Sequence, residues 1–296
     1  MKPASIALNK LRAISKQKAE ASSPIFGIDL ERAKCFVELK YPYYTSAVEQ
    51  ALLEELRHFP ENKEAKIMLD EVRKSEIYDK DIIDFQDDEF AQIKSTISNF
   101  TMLPDSRLFS LWKAAIKYLE TANNVTFVEC GVAAGGSTAM LAYLIKRSGK
   151  TGRVYAFDSF KGMPKEGKED TCNGTLASEL GWGAGTCSAP TSSLFNIAKQ
   201  LDVTDLIKVE QGLFEDTLPD NNLDRIDLLH IDCDWYESTK TVLNNLYPLI
   251  PTGGFIQIDD YGYWDGVKKA VEEYQIENNY KFSINTIDGY SAWLQK

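Results

Sequence analysis

The sequence predicts an α/β protein: a doubly wound, mostly parallel sheet of seven strands with an antiparallel terminal hairpin, preceded by a helical lobe. Three observations carry this reading. From residue 125 onward, short runs rich in β-branched and aromatic residues alternate with amphipathic helical patterns. Asp288-Gly289 stands between the last two such runs, a hairpin signal. Before residue 90 the apolar residues keep a helical spacing. Alternating strands and helices imply right-handed crossovers, hence a parallel sheet covered on both faces.

Taken in order, the first twenty residues hold five basic groups against one acid, with Ile6, Leu11 and Ile14 loosely spaced as on a helix. The expectation is a frayed, solvated helix rather than a targeting or membrane-surface segment. Val48, Leu52, Leu56 and Phe59 share a face, and Pro60 opens a second helix carrying Ala65, Leu69 and Val72. This pair looks tetratricopeptide-like, but a repeat array needs at least about three units. It reads instead as an accessory lobe packed on the main domain or on a second subunit, consistent with a homodimer. An acidic stretch, 79–89, marks the junction between a lobe of residues 1–90 and a domain of residues 91–296. Leu108, Leu111, Trp112, Ala115, Ile116 and Leu119 then form an amphipathic helix. Strands are expected at 125–130, 153–158, 207–211, 226–232 and 254–259, with helices at 138–145, 193–201, 238–246 and 266–274. The runs 282–287 and 290–295 form the hairpin. Between 161 and 190 no periodicity holds, and Trp182 sits among glycines there, which suggests a mobile flap over a substrate.

Composition narrows the function. The 296 residues are 44% hydrophobic, enough for a proper core, and the net charge of −11 argues against binding nucleic acid through its phosphates. No apolar run reaches the roughly 18–20 residues of a membrane span. Five cysteines form no Cys-x-x-Cys pair, and with only His58 and His230 a zinc site is excluded. Reduced thiols and a cytoplasmic setting are the expectation.

In open α/β sheets ligands bind beyond the carboxyl ends of the strands. The first strand ends in Glu129-Cys130-Gly131, followed by Val132-Ala133-Ala134-Gly135-Gly136-Ser137. A dinucleotide fingerprint would place its second glycine at Ala133, so pyrophosphate binding is disfavoured. The second strand ends at Asp158, whose carboxylate can accept both hydroxyls of a ribose or cap a turn. Strands four and five end in Asp232-Cys233-Asp234 and Asp259-Asp260, and neither motif contains a lysine or arginine. Such a cluster needs a cation, and an all-oxygen set suits Mg²⁺. His230, by strand alternation, shares a face with Asp232, or else is a structural histidine under the sheet.

Together these motifs resemble the Mg²⁺-dependent macrocin O-methyltransferase family, class I S-adenosylmethionine enzymes that methylate sugar hydroxyls of antibiotics. The matching pieces are Thr101-Met102, Arg107-Leu108, the loop from Glu129 to Ser137, Asp158 to Pro164, Gly212 to Pro219, Asp232 with Tyr236, and Gly253-Gly254 leading to Asp259-Asp260-Tyr261. They run from about residue 98 to 265; no motif covers the lobe. The resemblance implies a cofactor pocket lined by Met102, Gly131, Gly135, Ser137 and Ser159, with Glu129 at the methionine end and Asp158 at the ribose. It implies Asp232, Asp259 and Asp260 as Mg²⁺ ligands. Catechol methyltransferases are similar at these strand ends but carry a lysine base where this sequence has Trp235. Deprotonation of a hydroxylated small molecule would therefore fall to Asp232, or to His230. A nucleotide-dependent oxidoreductase and a non-catalytic binding protein with a vestigial site are the alternatives.

Overall fold

The computed structural model describes residues 3–39, 44–74 and 87–296. Most of the acidic junction, residues 79–86, lies outside them. The chain forms two compact units: residues 1–83 with 161–166 and 175–189, and residues 84–160 with 167–174 and 190–296.

The smaller unit packs helices α1 (Pro3–Glu20), α2 (Ile28–Leu39), α3 (Tyr44–His58) and α4 (Lys63–Lys74) around an apolar core. The first helix is not the solvated one expected. Ala7, Leu11 and Ile14 recur one and two turns apart and are all buried, while Ile6 is left exposed. The helix pair exists, but α4 starts at Lys63 rather than Pro60. Asn62 caps it, its Oδ1 accepting from the Ala65 N–H at 3.2 Å, and Pro60 stays in the turn.

A buried ion network crosses this unit. Lys18 lies 2.7 Å from both Asp29 and Glu54, and Arg32 lies 3.0 Å from Asp29 and 2.9 Å from Glu54. Glu54 also accepts the backbone N–H of Cys187 at 2.9 Å. Trp182 stacks on Phe36 with ring centres 5.8 Å apart, and the Arg32 guanidinium lies over its indole. The aperiodic segment is thus built into the helical unit, where the sequence suggested a mobile flap. Burial and Glu54 raise the Asp29 carboxyl to about 6 against the pull of Arg32 and Lys18. A raised carboxyl stabilises the fold fully below its ordinary value of 3.8, and that contribution is lost as pH rises through 6. Asp29→Asn should therefore flatten the fall in stability between pH 4 and 6, read from urea unfolding at several pH values. Parallel curves for the two proteins would refute this.

The larger unit holds the sheet: β1 (Asn124–Cys130), β2 (Thr151–Asp158), β5 (Ile207–Gln211), β6 (Leu228–Ile231), β7 (Phe255–Ile258), β8 (Asn285–Thr286) and β9 (Ala292–Gln295). Two-residue strands β3 (Thr171–Cys172) and β4 (Thr175–Leu176) stand outside it. The order is β5-β2-β1-β6-β7-β9-β8. The first five strands pair in parallel, and β9 is antiparallel to both β7 and β8. This is the predicted seven-stranded sheet with its terminal hairpin. Helices α5 (Asp88–Ile97), α6 (Asp105–Thr121), α7 (Gly136–Ser148), α8 (Thr191–Gln200), α9 (Phe214–Thr217), α10 (Tyr236–Leu246) and α11 (Asp265–Glu277) complete the unit. Leu108, Leu111, Trp112, Ala115 and Leu119 are the buried stripe of α6, and they join Phe127, Ala139 and Leu144 in one core. Among the described residues no helix is long and apolar enough to cross a membrane.

Candidate active site

The strand order turns back at β1, with β2 on one side and β6 on the other. Connections leaving such a switch point diverge to opposite faces and leave a crevice. After β1 the chain turns through Gly131 at φ +93° and Gly135 at φ +90°. A Cβ on Gly131 would stand 1.7 Å from the Asp232 carbonyl oxygen, so glycine alone lets the two loops touch. The Gly136 N–H donates to the Phe100 carbonyl at 2.7 Å, which fastens the segment leading into Thr101 and Met102 to the start of α7. Ser137 is buried in the first turn of that helix.

Asp158 holds this turn in shape. Its Oδ2 accepts from the N–H groups of Val132 and Ala133 at 2.7 and 2.9 Å, and its Oδ1 from that of Phe160 at 2.6 Å. Ala133 adopts φ +44° here, a left-handed conformation that costs a non-glycine residue on the order of 1 kcal/mol. Burial nevertheless raises the Asp158 carboxyl above its ordinary range. Ser159 follows directly, its carbonyl 3.4 Å from Gln211 Nε2.

The loops after β6 and β7 gather Asp232, Asp259 and Asp260, one oxygen of each lying within 4.8 Å of the others. Asp234, at φ +61°, accepts from Trp264 Nε1 at 3.2 Å. Burial, then Asp259, lift Asp232 well above the carboxylate range, and burial with Asp260 and Asp232 does the same to Asp234. Burial and Asp259 bring Asp260 to about 6. Asp259 differs: burial would raise it, but Arg107 and His230 together hold it low. Arg107 reaches the cluster from α6, outside both acid motifs. Its Nη1 donates to Asp259 and lies 3.6 Å from Asp260, while Nε donates to Asp288 of the hairpin turn at 2.6 Å.

Beneath the cluster a polar row crosses the sheet, because Glu129, His230 and Gln257 are register partners on β1, β6 and β7. Glu129 accepts from the Thr138 hydroxyl and lies 2.8 Å from His230 Nδ1. His230 Nε2 and Asp259 Oδ1 are 3.8 Å apart, too far for a hydrogen bond, and neither atom has another partner among the described residues. Burial opposes protonation of His230, but Asp259 and Glu129 raise it to about 10, so the ring is an imidazolium at neutral pH. Glu129 and His230, read from the sequence for separate tasks, are partners in one fully buried pair.

The residues present fit a hard divalent cation. The donors are all oxygen, and Asp259 Oδ1 is a buried oxygen with no hydrogen-bond donor. Carboxylates at 232, 234, 259, 260 and 288 face one guanidinium and one imidazolium.

Comparison with known proteins decides the family. The profile described as Macrocin-O-methyltransferase (TylF) matches residues 43–296. The chain belongs to this O-methyltransferase family. The match bears out the resemblance carried by the motifs, and it also takes in α3 and α4, where the sequence offered no motif. The 8-demethyl-8-(2,3-dimethoxy-alpha-L-rhamnosyl)-tetracenomycin-C 4'-O-methyltransferase of Streptomyces olivaceus is 34% identical over 164 residues, 55% of this chain and 62% of its own. The chain therefore spans less than two thirds of that relative's length. Demethyldecarbamoylnovobiocin O-methyltransferase of Streptomyces niveus is 32% identical over 178 residues, 59% of this chain and 68% of its own. The solved structure of the O-methyltransferase NovP superposes with a TM-score of 0.60 at 27% identity, covering 67% of this chain and 82% of that one. Of the residues that complete this methyltransferase site, Asp288 and Thr138 carried no signal in the sequence. Arg107 did, as part of the Arg107-Leu108 motif, but nothing in a helical pattern says which carboxylates a flanking arginine will meet.

Proposed function

We propose that this chain transfers the methyl group of S-adenosylmethionine to a sugar hydroxyl of a natural product, assisted by a divalent cation on Asp232, Asp259 and Asp260. The observation that carries the reading is the contact of the Gly131 turn with the backbone of Asp232, which sets a cofactor-type loop against an acid cluster. The names of the relatives support the acceptor class, since they are O-methyltransferases of glycosylated or closely related antibiotics.

In this reading the glycine turn, Met102, Ser137 and Ser159 form the cofactor pocket. A carboxylate has about four acceptor sites, and three backbone donors on Asp158 leave it one for a ribose hydroxyl. A bound Mg²⁺ would act as a Lewis acid that lowers the pKa of the acceptor hydroxyl. Asp234 is the better proton acceptor: its proton affinity is raised, and it stands beside the proposed ligands without being one of them. His230 is already protonated and has no exposed surface, so it serves as a positioning residue that fixes Asp259 from below. Methyl transfer is an in-line displacement, and the chain accelerates it chiefly by holding donor and acceptor aligned.

The test is a panel of glycosylated natural products with free sugar hydroxyls, incubated with S-adenosylmethionine and followed by mass. A gain of one methyl group, abolished by a chelator and restored by Mg²⁺, is the expected result. Transfer that survives chelation would sink the metal assignment, and absence of S-adenosylmethionine binding by calorimetry would sink the whole reading.

A further inference from the structure

The methyltransferase chemistry leaves one group of charges in the helical unit unused. Lys18 on α1, Arg32 on α2 and Arg57 on α3 face two carboxylates, Asp29 and Glu54. Lys18 and Arg32 divide both carboxylates between them at 2.7–3.0 Å. Arg57 receives no share. Its Nε, Nη1 and Nη2 are all buried, and none has a hydrogen-bond partner among the described residues. Glu55, the nearest further carboxylate in sequence, is turned to the Gly27 N–H and to Asn62, each at 2.8 Å. His58 is engaged with the Ser188 hydroxyl at 2.9 Å, and burial lowers its proton affinity.

A guanidinium in this position is costly unless an anion compensates it. The remaining ionisable group at hand is the Cys187 thiol. The Cys187 N–H donates to Glu54 at 2.9 Å, which brings the cysteine to the helix one turn before Arg57. Its backbone is held at φ +61°, and its sulfur acts electrostatically on both Arg57 and Arg32. Cys187 is half-buried and in no disulfide, so a small reagent can reach it.

We propose that Cys187 is a modification site, a thiolate with Arg57 as its counter-cation, poised to react with soft electrophiles. With iodoacetamide the sulfur forms a bond to carbon, the carbon–iodine bond breaks, and iodide leaves. A guanidinium neighbour favours the thiolate, which is the nucleophilic form of cysteine.

Cys172 is the internal reference. It is equally half-buried, but burial and Asp265 raise its thiol above the ordinary value. In the full chain at pH 7, iodoacetamide labelling followed by peptide mass spectrometry should modify Cys187 at least about tenfold faster than Cys172. Arg57→Gln should bring the two rates within about threefold, and Arg57→Lys, which keeps the charge, should retain the difference. The wild-type ratio decides the matter even if a variant fails to fold. Equal rates in the wild type would overturn the proposal, as would an Arg57→Gln protein that labels Cys187 as fast as before.

Discussion

Arg107→Met is expected to lower folding stability by about 3–5 kcal/mol, the usual cost of removing one partner from a buried ion network. Its guanidinium ties three carboxylates from two parts of the chain, Asp259 and Asp260 after β7 and Asp288 in the hairpin turn. Methionine fills much of the same volume, so the loss reports charge rather than a cavity. Without Arg107, His230 alone would oppose the cluster, and His230 already shares its charge with Glu129. Urea unfolding of both proteins in the presence of a chelator measures the difference. Added Mg²⁺ should recover part of the loss in the variant, because the carboxylates regain a cation. A change below about 1 kcal/mol would mean that the three contacts behave like exposed surface pairs.

Asp232→Asn should act on the reaction and leave the fold intact. Asparagine keeps the shape of the side chain and the backbone carbonyl against which Gly131 packs. It removes one charge from the group proposed to hold the cation, whose assistance is worth several kcal/mol, or about a thousandfold in kcat/KM. Removing a carboxylate that burial and Asp259 keep strained should, if anything, raise stability. Mn²⁺ binding followed by electron paramagnetic resonance should weaken strongly, while S-adenosylmethionine affinity by calorimetry should change little. If Asp232→Asn bound Mn²⁺ as tightly as the wild type, Asp232 would not be a ligand.

Much of this arrangement was legible in the sequence because it lies at strand ends. A glycine turn, Asp158, Asp232 and Asp259-Asp260 each close a recognisable β-run, and a doubly wound sheet brings such ends to one side. Cross-strand register was not legible. Alternation alone placed His230 beside Asp232, yet β6 ends at Ile231, and pairing sets His230 in a row with Glu129 and Gln257. Partners supplied from a distance were equally hidden: Arg107 lies 152 residues from Asp259, and Glu54 lies 133 from Cys187. The helical lobe illustrates the same limit. Its first helix looked weak because one turn of it depends on Ala7, whose small side chain contributes little to a hydrophobic pattern but is fully buried.

The hairpin gives the site a history in time. Arg107 and Asp288 are 181 residues apart, and at synthesis rates of 5–20 residues per second about 10–40 s separate their appearance at the ribosome. During that interval Asp259 and Asp260 emerge before Asp288, and β7 waits for β9, which follows it in the chain but sits against its open edge. A nascent chain thus carries a cluster of acids and an unpaired strand until the hairpin arrives. Translation stalled after β7 should expose both, leaving a chain prone to pair through that edge.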